Sequence, residues 1–165
     1  MQKIIIVTII ALSGLFSLLS QASDVITHRN IGMELARDLA SAAVSACRKD
    51  GYHVSAVVVD RYGILRAALR DDIASRFTLQ IAEEKANAVV MAGIPSGQFR
   101  ERRGDIRPEL NHIDGIIMMQ GGMPVDAGGS RIGAIGVSGA PGGEKDEVCA
   151  AKALETHMER LEFAE

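Results

Sequence analysis

From Thr27 to Asp50, apolar side chains at Ile31, Leu35, Leu39, Ala42, Ala43 and Ala46 recur every three or four positions, the spacing that gathers one face of an α-helix. Thr27 or Asn30 offers a cap at its start and Gly51 a stop at its end. The rhythm then changes. Val54 to Asp60 is apolar and mostly β-branched, Tyr62-Gly63 turns the chain, and Ile64 to Arg70 resumes, which predicts a β-hairpin. A second helix, from Ser75 to Ala92, is expected to bury Phe77, Ile81, Ala88 and Val89 and to leave Glu83, Glu84 and Lys85 in solvent, with Gly93 and Pro95 as its stop.

Pro95 to Pro108 breaks the pattern: Phe99 stands among Arg100, Arg102, Arg103 and Arg107 in a short polar stretch that reads as a helical turn and loop. Ile116 to Gln120, Met123 to Val125 and Arg131 to Ser138 read as three strands, the last two joined by a turn over Asp126 to Ser130. Asp146 to Phe163 closes the chain as a helix, with Glu144, Asp146 and Glu147 at its positive dipole end. Helix, two strands, helix, short helix, three strands, helix predicts an α+β domain: a five-stranded antiparallel sheet with helices packed on it.

Nine of the seventeen glycines fall between Gly121 and Gly143, interleaved with Val and Ile. Glycine at that density suits tight turns and strands whose backbone something approaches closely. The run contains neither Gly-x-Gly-x-x-Gly nor Gly-x-x-x-x-Gly-Lys-Ser/Thr, so nucleotide binding gains no support.

The front of the chain bears on where the domain works. Lys3 precedes an apolar run from Ile4 to Leu19, and Ser20-Gln21-Ala22 supplies small residues suited to cleavage, the pattern of a secretory signal peptide over residues 1–22. A transmembrane anchor needs about 20 apolar residues, and this run is shorter and carries Thr8, Ser13 and Ser17. The expectation is a single domain over 23–165, periplasmic or secreted, with no stable membrane span after cleavage. Without Lys3 the chain holds 17 basic and 21 acidic side chains and no long run of one sign, and it has no tryptophan, which argues against nucleic-acid binding. Cys47 and Cys149 permit one disulfide in an oxidising compartment, or two buried thiols on different helices. There is no Cys-x-x-Cys to suggest a redox motif or structural zinc.

None of the four histidines has metalloprotease spacing, and Ser138 in Gly-Val-Ser-Gly misses the nucleophile-elbow pattern by one residue. His112 lies between the arginine cluster and an apolar run, with Met118, Met119 and Met123 beyond it. Such a place combines an iron ligand, apolar walls and cations for carboxylates, the three things a haem requires. The alternative is a loop histidine beside solvated arginines, with the methionines as core packing.

The order VSAVVVDRYGILRAALRDD, EEKANAVVMAGIPSGQF and GGMPVDAGGSRIGAIGVSGAPGGEKDEVCAAKALE resembles the GlcG/HbpS-like family, which includes haem-binding proteins and the C-terminal domain of PduO-type proteins. Its most specific part is GGMPV followed by IGAIGVSGAPGGEKDEVCAAKAL. The resemblance implies a profilin-like domain in α/β/α layers around a five-stranded antiparallel sheet, assembled into homo-oligomers. It also implies haem as the ligand, with degradation of haem or extracellular redox sensing in some members. Axial ligands differ among members, so the candidates come from this sequence alone. They are His112 as the iron ligand and His28, Arg102, Arg103, Arg107, Met118, Gly121 and Gly122 as further cofactor-binding residues. The resulting expectation is an exported haem-binding protein with an oligomer-associated pocket. Its alternatives are a haem-free accessory module that binds a small carboxylate or a partner protein, and a haem-degrading or peroxide-linked enzyme. No catalytic residue is assigned, and binding is favoured over turnover.

Overall fold

The computed structural model describes residues 24–163, so the expected signal peptide lies outside the described residues. The elements run α1 (Met33–Lys49), β1 (Ser55–Asp60), β2 (Leu65–Arg70), α2 (Phe77–Ala92), α3 (Ser96–Arg102), α4 (Arg107–Leu110), β3 (Gly122–Ala127), β4 (Ser130–Ser138), α5 (Gly143–Thr156) and α6 (Met158–Glu162). The strands form one antiparallel sheet in the order β2-β1-β4-β3.

The sheet is covered on both faces because its central strands are apolar on both. Ala56 and Val58 of β1, with Ile135 and Val137 of β4, join a core built with α1 and α5. Val57, Val59 and Ala134 point the other way, against Ala82, Ala86 and Val89 of α2. On this second side the helix presses on the strand backbone itself. A Cβ at Gly136 would overlap the carbonyl oxygen of Ala82, and one at Gly122 would meet the carbonyl oxygen of Lys85. The glycine run is thus a surface for close helix approach, as its density suggests.

Cys47 of α1 and Cys149 of α5 are joined by a disulfide, their Cα atoms 5.4 Å apart, which decides between the two readings of the cysteines. The bond ties together the two helices of one face. Among the described residues no helix is long and apolar enough to cross a membrane.

Several expectations require correction. The sheet has four strands rather than five, because Ile116–Gln120 is not a strand. Its backbone donors are spent elsewhere: Met118 N–H donates to Asn111 Oδ1 and Met119 N–H to the Ile117 carbonyl. Its hydrophobicity serves a small separate core, where Met118 packs with Ala88, Phe99 and Leu110. The first helix starts at Met33 rather than Thr27, since the Ile31 N–H bonds to the Ile132 carbonyl and holds the preceding chain extended beside β4. The closing helix breaks at His157 into α5 and α6. On α2, Phe77 is 56% exposed, whereas Lys85, expected in solvent, is only 1% exposed.

Candidate functional site

The arginine-bearing segment is anchored by its one aromatic residue. Pro95 caps the start of α3, and Phe99 on its inner side is buried on Leu110 and Met118. With the aromatic ring inward, the arginines of this short helix are left exposed on its flanks. Arg103 is held to Asp105 at 3.2 Å. Among the described residues, the guanidinium groups of Arg100, Arg102 and Arg107 have no ion-pair or hydrogen-bond partner.

Two cavities flank this helix. A cleft of about 370 Å³ is lined by Met91, Ala92, Ile94, Phe99, Ile106 and Leu110, with Arg102 and Arg103 at its wall. A second cavity of about 360 Å³ is lined by Gly97, Arg100, Glu101, Gly104, Arg107 and Gln120. The arginine cluster therefore serves two places. The first combines apolar walls with cations, which suits an amphipathic ligand bearing carboxylates; the second is lined by charged and amide side chains and two glycines.

The other candidates lie apart from both linings. His112 is exposed in the turn after α4, its N–H donating to the Glu109 carbonyl, two residues beyond the cleft residue Leu110. His28 stands in the extended arm before α1, edge-on to Tyr62 with ring centroids 6.2 Å apart. Met118 is buried beneath α3. Gly121 and Gly122 are buried as well, with positive φ at Gly121, and they pack against Lys85 rather than line a cavity.

Lys85 is the residue that sequence reasoning missed. Its ammonium donates to Asp146 Oδ2 at 2.8 Å and to the Val137 carbonyl at 2.9 Å, while Asp146 Oδ1 accepts the Ala140 N–H at 2.9 Å. Burial pushes the lysine down from its ordinary pKa and the aspartic acid up, and each charge pulls the other back. Beside them Glu147 keeps one buried carboxylate oxygen, Oε2, without a hydrogen-bond partner. Spacing carried a signal for the pair. Lys85 is three residues after Ala82 and four before Val89, and Asp146 three before Cys149 and seven before Ala153, so each charge falls on the apolar stripe of its helix. Among the described residues no group of His, Cys, Asp and Glu side chains is arranged to hold a metal ion.

Comparison with known proteins agrees with this architecture. HbpS superposes with a TM-score of 0.76 at 37% identity, covering 81% of this chain and 94% of that one. The GlcG protein of Escherichia coli K12 is 30% identical over 108 residues, which is 63% of this chain and 81% of GlcG. The structure of a PduOC:heme complex shares the fold, with a TM-score of 0.66 at 22% identity over 76% of this chain and 94% of that one. Residues 31–155 match the family described as haem degrading protein HbpS-like, and the chain belongs to that HbpS-like family.

Proposed function

We propose that this chain is an exported haem-binding protein whose ligand enters the apolar cleft beside α3, with a second copy closing the open side. The observation that carries the reading is the joining, in one cleft, of Met91, Ile94, Phe99, Ile106 and Leu110 with Arg102 and Arg103, of which the Arg102 guanidinium has no partner. Apolar walls accept a macrocycle and guanidinium groups pair with propionates. Haem is also named in the family's description and in the PduOC complex. Helices on both faces of the sheet support the profilin-like layering that the resemblance implies.

At about 370 Å³ the cleft is at the small end of ligand sites, which commonly enclose most of the ligand's surface. A neighbouring copy over exposed Met91, Ile113 and Met119 supplies the missing wall in this reading. His112 is the proposed iron ligand, through its place two residues from Leu110, and the Met91 thioether in the lining is the second choice. Bound haem would supply an iron centre able to bind small ligands or exchange electrons. The chain's own part is to orient the porphyrin by Arg102 and Arg103 and to exclude water with Phe99 and its neighbours. Export is supported by the apolar leader sequence and by the disulfide, since such bonds persist in oxidising compartments.

The test is a haem titration of the chain starting at Ser23, followed by visible absorption with size exclusion at each step. Expected is a saturable Soret shift at stoichiometric ratio, weakened in the Arg102→Gln/Arg103→Gln variant and lost or displaced in His112→Ala. A broad, nonsaturating change overturns haem binding. A band unaltered in His112→Ala and displaced in Met91→Leu moves the iron to methionine. Loss of bound haem on adding a reductant would mark turnover rather than storage.

A further inference from the structure

We infer that the polar cavity on the other side of α3 is a separate binding site for a small monocarboxylate. The two cavities are separated by helical geometry. The residues 97, 100, 101 and 104 line one, and 99, 102, 103 and 106 line the other. Of these, 97, 100 and 101 lie on α3 and oppose 99 and 102, since an offset of two residues at 3.6 residues per turn sets the two stripes about 200° apart; Arg103, Gly104 and Ile106 follow in the turn beyond the helix. A ligand in one cavity therefore faces Arg100 and Arg107, and a ligand in the other faces Arg102 and Arg103.

Arg37, Arg48, Arg103, Arg131 and Arg160 are engaged with carboxylates of this chain, Arg61 and Arg70 with backbone carbonyls, and Arg76 with the Phe77 ring. Arg100 and Arg107 are not, though both border one cavity. Two guanidinium groups without carboxylates at one site are suited to grip a planar carboxylate by paired hydrogen bonds. The charge of the lining then sets the number of ligand charges. Arg100 and Arg107 bring two positive charges and Glu101 one negative, so one anionic group neutralises the site and a second is left in excess. Glu147 is not part of the lining, and its carboxylate interacts with the Lys85 ammonium. A Cβ placed on Gly97 would lie 3.0 Å from Glu147 Oε2 and 2.9 Å from Gln120 Cγ, so a carboxylate stands directly behind the cavity wall. The Gln120 side chain in the lining carries a donor and an acceptor for a hydroxyl or oxo group next to the ligand's carboxylate. A volume of about 360 Å³ accommodates an acid of this size.

The site does not depend on the haem reading, and its test separates the two. Calorimetric titration of the chain starting at Ser23 uses lactate as the monocarboxylate, with malonate and sulfate as dianions. Expected is saturable lactate binding, weakened about tenfold or more by Arg100→Gln and by Arg107→Gln. It should be unchanged in Arg102→Gln/Arg103→Gln, and the dianions should bind more weakly. Both arginines are exposed, so the variants keep the fold, which a circular dichroism spectrum verifies. The inference is overturned by an absence of saturable binding, by malonate or sulfate binding as tightly as lactate, or by equal loss in the Arg102→Gln/Arg103→Gln variant.

Discussion

Lys85 Nζ lies 2.8 Å from Asp146 Oδ2, closed off from solvent where α2, β4 and α5 meet. The lysine reaches from α2 past Gly121, whose missing side chain leaves room for it: a Cβ there would stand 2.8 Å from Nζ. This pair is a joint between the two faces of the sheet, since α2 covers one and α5 the other.

Removing one partner strands a buried charge, which typically costs about 3–5 kcal/mol. Lys85→Met and Asp146→Leu are each expected to lose stability on that scale. The double variant Lys85→Met/Asp146→Leu should recover much of the loss, because an apolar pair leaves no charge uncompensated. Urea unfolding of the four proteins measures this. Losses that simply add in the double variant would show that the two residues act independently.

Close packing of α2 on β4 gives a second expectation. Gly136→Ala drives a methyl into the Ala82 carbonyl, backbone against backbone, where neither side can rotate away. Overpacking of this kind costs about 1–3 kcal/mol. Gly104→Ala is the control, its added methyl meeting only the Glu101 carbonyl at 3.9 Å, and should stay within about 0.5 kcal/mol of the parent. Equal unfolding midpoints for the two variants would contradict the close approach.

β1 and β4 were legible because apolar, β-branched runs there agree with burial, whereas β2, largely exposed, and α2, whose Phe77 is exposed, were bounded by the turn at Tyr62-Gly63 and the stop at Gly93. Ile116–Gln120 was not legible, since a short apolar run reads the same whether it joins a ladder or plugs a cavity; Met118 does the second, against Phe99. The buried pair was hidden by residue type. Lys85 was assigned to solvent by its charge although its position is on the apolar stripe, and only the facing Asp146 makes that position tenable. In the candidate site, the arginine cluster was visible as one patch. Its division into two sides depends on where Phe99 anchors the helix, which the chain's linear order does not state. His28 and His112 were chosen by chemistry, and both fall outside the two linings because they occupy an extended arm and a turn.

The Cys47–Cys149 bond spans 102 positions, and loop-closure entropy for such a span gives about 4.7 kcal/mol as an upper figure, with 2–5 kcal/mol common on removal. Unfolding in urea with and without dithiothreitol should therefore show a large drop in midpoint on reduction. A Cys47→Ser/Cys149→Ser variant should match the reduced protein and ignore the reductant. A midpoint indifferent to reductant in the parent would mean that the bond contributes nothing to the folded state's advantage.

Acid should weaken the fold through Asp71. Its carboxylate accepts two hydrogen bonds from the Arg48 guanidinium, at 2.7 and 3.0 Å, and has the His53 ring nitrogen 3.3 Å away. The Arg48 hydrogen bonds are the main cause that holds its pKa at about 2, below the ordinary 3.8, while burial works in the opposite sense. The unfolded chain thus takes up this proton first as pH falls. The stabilising contribution is complete above about 3.8 and disappears as pH drops toward 2. Between those limits the parent should lose stability with falling pH more steeply than Asp71→Asn, which has no proton to take up there. Parallel stability profiles for the two proteins, measured by urea unfolding across that window, would show that the Arg48–Asp71 contact does not couple folding to protonation.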